Sequence, residues 1–209
     1  MMFDIVSSQG KAAFLIEKES FEGIRIIGRT VAGDIEAVCG QKPEIHDHLS
    51  ECHETHVILM AAPGHSSLLD RLFRDRRLDE TLLAGKREIY LMEQLESPFP
   101  EQPEIKRLLV IAGSDKRGTI YGMFRLSELC GVSPLVFWGD AAPEHRNTLS
   151  IDLPSPILSK EPSIRYRGFF INDEWPAFGS WCLEKYGGVN ARAYEKIFEL
   201  LLRLKGNYL

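Results

Sequence analysis

The sequence predicts an α/β fold: an N-terminal α/β layered domain with a mixed sheet, then the first βα unit of a truncated repeat that would complete a (β/α)8 barrel or a large sheet. Three observations carry this reading. Short apolar runs at Ala13–Ile16, His56–Ala61 and Arg107–Ala112 alternate with stretches of helical period. A polar segment from Asp152 to Ser163 holds Pro154, Pro156 and Pro162, which stiffen φ and cannot donate to a ladder. Beyond it a strand-like run, a helix and the start of another extended segment follow, as in the opening of a repeated βα architecture. The expected domains are therefore 1–158 and 159–209.

The elements follow in order. Ala13–Ile16 reads as a strand. Ile24, Ile27, Val31, Ile35 and Val38 recur at steps of three and four, one face of an amphipathic helix. Ser20 is its expected N-cap and Gly40 its stop. His56–Ala61 is rich in β-formers and runs into Pro63-Gly64, so it reads as a buried strand. Ser67–Arg77 reads as a helix N-capped by Ser67, with Leu68, Leu69 and Leu72 on one side. Glu88–Leu95 is a weaker strand, and Pro98–Pro103 a turn-rich break. Arg107–Ala112 is the clearest buried strand. The loop 113–118 leads into a helix reaching Cys130, stopped by Gly131. Val132–Trp138 is expected to return as a strand. After the proline segment, Arg165–Glu174 reads as a strand and Trp175-Pro176 opens a loop. A helix is expected over Ala191–Lys205, closed by Gly206, before Asn207-Tyr208-Leu209 extends again. The unfinished βα order leads to the expectation that the chain is cut short; the alternative is a complete chain whose last helix packs back on the first domain.

Composition limits the function classes. The 209 residues carry 30 acidic against 25 basic side chains, a net charge of −5. Nothing in that surplus favours a phosphate backbone, so no nucleic-acid partner is expected. The apolar runs at 57–62 and 108–112 fall far short of the roughly 20 residues that cross a bilayer, so no membrane partner is expected either. The start lacks a basic region followed by an apolar one; no signal peptide is read, which favours the cytoplasm for the chain as given. Cys39, Cys52, Cys130 and Cys182 are widely spaced and read as free buried thiols.

The most informative stretch for chemistry is the end of the 165–174 run. Polar residues at the C-terminal end of a barrel strand face the active-site mouth. Here they are Asn172, Asp173 and Glu174. Strand alternation groups Asp173 with Ile171 and Phe169, and Glu174 with Asn172. A polar strand end that caps the next loop is the structural alternative. A second candidate is the loop at Lys116 and Arg117, where a helix N-terminus and two cations favour a phosphate or a sugar carboxylate. It lacks the P-loop pattern, and solvated turn charges explain it equally. His46, His48, Cys52, His53 and His56 crowd together, but their spacing fits no zinc template, and no metal or cofactor is expected. Phe137, Trp138 and Trp181 read as packing. Trp175 is the exception, because a flat aromatic face stacks on a pyranose ring.

Four ordered segments then carry a family resemblance. They are Val110–Gly122 (VIAGSDKRGTIYG), Ser127–Pro134 (SELCGVSP), Arg167–Glu174 (RGFFINDE) and Tyr194–Leu209 (YEKIFELLLRLKGNYL). Together they resemble the N-terminal part of glycoside hydrolase family 115, the xylan α-glucuronidases. The resemblance is strong from about residue 104 and weakest before 56. It implies an N-terminal α/β domain, a catalytic (β/α)8 barrel and further C-terminal domains. It implies inverting release of (4-O-methyl)glucuronic acid from xylan side chains, with a xylan-derived glucuronosyl oligosaccharide as partner, no cofactor, and room for a homodimer of the full-length enzyme. Inversion uses two carboxylates about 6.5–9.5 Å apart. The resemblance puts both beyond Leu209, so no catalytic residue is expected in this chain and the fragment is expected to be inactive alone. Asp173, and by its motif Glu128, are implied as substrate contacts. Asn172, Glu174, Lys116 and Arg117 join them as substrate-binding candidates from the residue reading. Two departures stand out: Pro134–Trp138 keeps only part of the family's aromatic pattern, and Trp175-Pro176 replaces a smaller residue. The alternatives are a non-catalytic carbohydrate-binding or structural module, and the N-terminal part of another barrel glycosidase of hexosaminidase type.

Overall fold

The apolar runs pair into sheets because each must bury two faces. A computed structural model describes residues 2–153 and 156–209. Of the proline cluster, Pro154 lies outside the described residues. The chain divides into two compact units, Met1–Ser133 with Ala142–Pro162, and Pro134–Ala141 with Ser163–Leu209.

The first unit holds nine strands and three α-helices among the described residues. The strands are β1 (Met2–Ser7), β2 (Gly10–Lys11), β3 (Ala13–Leu15), β4 (Ile45–His46), β5 (His56–Ala61), β6 (Tyr90–Glu96), β7 (Arg107–Gly113), β8 (Leu149–Asp152) and β9 (Ile157–Leu158). The helices are α1 (Glu22–Cys39), α2 (Ser67–Arg74) and α3 (Lys116–Leu129). Six strands form one sheet in the order β4-β3-β5-β7-β6-β9. β4, β3, β5 and β7 run parallel, and β6 and β9 add antiparallel pairs. The mixed sheet matches the expected fold class. β7 is apolar without interruption because it is central and covered on both faces. Its alternation shows the two layers. Val110 and Ala112 pack with Leu68, Leu69 and Leu72 of α2. Ile111 points to the opposite face, where a Cβ on Gly122 of α3 would lie 2.7 Å from its Cγ2. α1 packs on α3 at that face, and the buried Ser127 hydroxyl donates to Asp34 across them at 2.5 Å.

Several expectations are corrected. Val132–Trp138 forms turns, not a strand. β7 already has β5 and β6 as neighbours, and Pro134 has no N–H to offer a ladder. Ser20 does not cap α1; Phe21 occupies that position with no side-chain bond, while Gly40 ends the helix at φ 70° as expected. Ser66, not Ser67, caps α2, which stops at Arg74. A small antiparallel sheet, β2-β1-β8, was not anticipated. All four cysteines are free and buried, as expected. Among the described residues no helix is long and apolar enough to cross a membrane.

The second unit holds α4 (Ala177–Tyr186) and α5 (Ala191–Arg203). α5 stands where its periodicity places it. α4 was expected as a loop. Arg165–Glu174 is extended but is not a ladder strand: its one described pairing is an isolated parallel bridge, Gly168 to Tyr208. A strand is defined by its partners, and here only 207–208 lies alongside. The contact is tight, since a Cβ on Gly168 would sit 1.6 Å from the Tyr208 carbonyl oxygen. The α5 stop also differs, because Lys205 takes the left-handed conformation at φ 59°. The Gly206 N–H then returns to Leu201 O at 2.8 Å.

Candidate carbohydrate-contact site

The second unit presents the polar end of the 165–174 segment. Arg167 fixes its start: its carbonyl accepts from Asn207 N at 2.8 Å and Tyr208 N at 3.1 Å. Its own N–H donates to Asn207 Oδ1 at 2.9 Å. From there the segment keeps strand-like alternation without a ladder. Phe169 and Ile171 are half-buried, whereas Phe170 is 87% exposed. The alternation stops there, and Asn172, Asp173 and Glu174 are all exposed.

One bond positions the central carboxylate. The Tyr194 hydroxyl donates to Asp173 Oδ2 at 2.6 Å. That bond, burial and the Asp173 charge together push the Tyr194 phenol above its usual range. Tyr194 is placed by the start of α5, where Asn190 Oδ1 accepts from Arg192 N at 3.1 Å and Ala193 N at 3.4 Å. Phe178 of α4 meets the Tyr194 ring edge-on at 6.2 Å between centroids. Next to the carboxylates, Trp175 is 64% exposed. Its indole lies on Gly179, where a Cβ would come within 2.6 Å of the ring. One ring face is thus backed by the helix while much of the indole remains open. A carboxylate tethered by a phenol beside an exposed indole can accept from sugar hydroxyls and stack on a pyranose face.

The remaining candidates lie in the first unit. Glu128, in the last turn of α3, is largely buried and accepts from Arg125 Nη1 at 2.8 Å. Lys116 and Arg117 open α3 and are exposed. The backbone there is already served by Asp115, which accepts from Gly118 N at 2.8 Å and Glu88 N at 2.9 Å. Arg117 Nη1 lies 3.5 Å from the buried Glu88, and Lys116 Nζ lies 5.9 Å from the Phe21 ring centre.

The structure adds a feature that sequence reasoning missed. β3 and β5 are neighbours whose following helices lie on opposite faces of the sheet, the place where open α/β sheets bind ligands. The buried carboxylate of Glu17 fills it. Ser66 and Ser67 donate their hydroxyls to Glu17, the latter at 2.6 Å, and Leu68 N donates at 3.1 Å. The chain's own side chain sits where an anion would. The signal was faint: an acid directly after an apolar strand, 49 residues before the serines.

The sequence model described as glycosyl hydrolase family 115 matches residues 159–209, the segment that carries this site. Among solved structures, one titled a novel family GH115 4-O-methyl-alpha-glucuronidase, BtGH115A, with specificity for decorated arabinogalactans, matches 99% of this chain at a TM-score of 0.77 and 28% identity. The family 115 match thus falls on residues 159–209, and the whole chain is similar in fold to a family 115 enzyme. The chain spans 25% of the length of that relative. A second structure, CpGH84D, matches 76% of this chain and 21% of its own length at 12% identity and a TM-score of 0.43, too low to bear on the reading. No curated protein matches the chain.

Proposed function

We propose that the chain is the N-terminal part of an inverting α-glucuronidase that releases (4-O-methyl)glucuronic acid from xylan side chains, its 159–209 region opening the catalytic barrel. Asp173 serves as a substrate contact, not as acid or base. The observation that carries this is the Tyr194–Asp173 bond beside the exposed indole of Trp175. The phenol engages one carboxylate oxygen and leaves the other to accept from a sugar hydroxyl, with the pyranose face on Trp175. Asn172 and Glu174, exposed beside it, offer further polar groups. Asp173 repels the glucuronate carboxylate, so it reads hydroxyls; a uronic acid needs its cation elsewhere. Within the first unit, and independently of Asp173, Lys116 and Arg117 are proposed as contacts for a sugar carboxylate and Glu128 as a hydroxyl acceptor. The acid and base that inversion requires, about 6.5–9.5 Å apart, are assigned to no residue of this chain. The similar structure's title names decorated arabinogalactans, so both glycans belong in the test.

The experiment has two parts. The chain is incubated with glucuronoxylan and with glucuronate-decorated arabinogalactan, and released uronic acid is measured. No release is expected, and robust turnover overturns the assignment of the reacting carboxylates. The chain is then titrated with methyl α-glucuronoside by NMR. Shifts at 172–175 that vanish in Asp173→Ala support the contact role. Binding at that site by a glycan lacking uronic acid favours the general carbohydrate-binding module instead.

A further inference from the structure

We propose that Glu44, His46 and Glu54 form a divalent-cation site of the zinc class at the β4 edge of the six-stranded sheet, apart from the carbohydrate contacts. The argument begins with strand parity. Glu44 and His46 are two residues apart on extended backbone, so their side chains share a face. That backbone is pinned to β3: Phe14 N donates to Glu44 O at 2.8 Å and Ile16 N to His46 O at 3.0 Å. Glu54 arrives from the segment that leads into β5. One ligand atom from each of the three lies within 4.8 Å of the others.

A second observation points to a missing partner. His46 Nε2 is buried and makes no hydrogen bond. The nearest acid atom, Glu54 Oε1, is 3.6 Å away, too far for a hydrogen bond. A buried ring nitrogen between two carboxylates calls for something to fill its lone pair or take its proton. The carboxylates are held ready. Glu54 Oε2 accepts from His53 N at 3.0 Å, which leaves Oε1 for the cluster. Glu44 Oε1 accepts from Lys11 Nζ at 3.1 Å, which leaves Oε2. Such outer bonds are what orient metal ligands. Two carboxylates against the one Lys11 ammonium keep the cluster net negative. Zinc bonds to nitrogen and oxygen run about 2.0–2.2 Å, so side-chain rotation must draw the three atoms inward. One imidazole and two carboxylates suit a borderline cation, with a fourth position open to water.

The histidine count alone misdirects here. His56 meets Thr55 Oγ1 at 3.0 Å and lies edge-on to Phe3. Neither His48 nor His53 joins the cluster. Glu44 carries no histidine signature at all.

The test uses the chain stripped with a chelator and titrated with Zn²⁺ by calorimetry, with Co²⁺ absorption as a second readout. One Zn²⁺ per chain is expected. His46→Ala and Glu54→Gln should each weaken it at least about tenfold, since even outer-shell losses cost that much. The double variant His48→Ala/His53→Ala should bind as the parent does. Far-UV circular dichroism checks folding, and if His46→Ala fails to fold, Glu54→Gln decides. Parent binding no tighter than that of Glu54→Gln, or binding lost only in the His48/His53 variant, overturns the site. Tighter binding of Ca²⁺ than Zn²⁺ overturns the zinc class.

Discussion

Tyr194 donates its phenolic hydrogen to Asp173 at 2.6 Å, joining the first turns of α5 to the polar end of the 165–174 segment. The bond raises the phenol's ionisation above its ordinary range, and burial adds to the shift. A folded-state value above the unfolded one gives stability that is full below about pH 10 and fades as pH rises through the folded value. Absorbance titration near 295 nm should show late-ionising tyrosines, Tyr194 as well as the buried Tyr90, and Tyr194→Phe should remove one of them. Asp173→Asn should move Tyr194 back toward the ordinary range. An unchanged profile in Asp173→Asn would break the link between the two residues.

Glu17 satisfies three donors at the start of α2 while buried. Removing the acceptor strands the buried Ser66 hydroxyl and Leu68 N–H, each at about 1–3 kcal/mol, while the exposed Ser67 hydroxyl can turn to water. Glu17→Ala should therefore lower the urea midpoint strongly. Ser66→Ala, which deletes the cap to Leu69 N, should cost about 0.5–2 kcal/mol. If Glu17→Ala unfolds at the parent's midpoint, the carboxylate does not hold this corner.

Cys52 and Cys130 each have a thiol pushed up to about 12, mainly by burial, with nearby acids adding to it. Thiolate is the reactive form, so neither should react in the native chain at pH 8. A disulfide reagent should titrate four thiols only after unfolding. Rapid native labelling of Cys130 would show that its surroundings open readily.

How legible was this in the sequence? Long elements with one clear period were read correctly: α1 from Ile24 to Val38, β7 from its unbroken apolar run, and α5 from Ala193 and Ile197, although its buried face goes on to Leu201 rather than to the expected Leu200 and Leu204. Elements whose existence depends on a distant partner were not. β1 needs β8, some 146 residues away, and Val132–Trp138 failed as a strand where β7 already has β5 and β6 on either side and Pro134 lacks an N–H. α4 was missed because Trp175-Pro176 and three glycines at 179, 187 and 188 read as loop, although Gly179 is there to admit an indole. Of the site, the polar triplet 172–174 was visible. Its partner Tyr194 was not, since a phenol on a helix gives no sign of which strand end it will meet.

Trp175 and Gly179 supply the last test. The indole rests on the bare α carbon, and a Cβ there would come within 2.6 Å of the ring. Gly179→Ala must push the ring outward or shift α4, at about 1–3 kcal/mol for overpacking. Trp175→Ala only removes a side chain that is 64% exposed, so it should leave the melting temperature nearly unchanged. The two variants thus separate structure from contact. If the ring is a sugar platform, Trp175→Ala abolishes methyl α-glucuronoside shifts at 172–174 while the fold persists, and Gly179→Ala weakens them along with stability. A Trp175→Ala chain that binds the glycoside as the parent does would make the indole a packing residue.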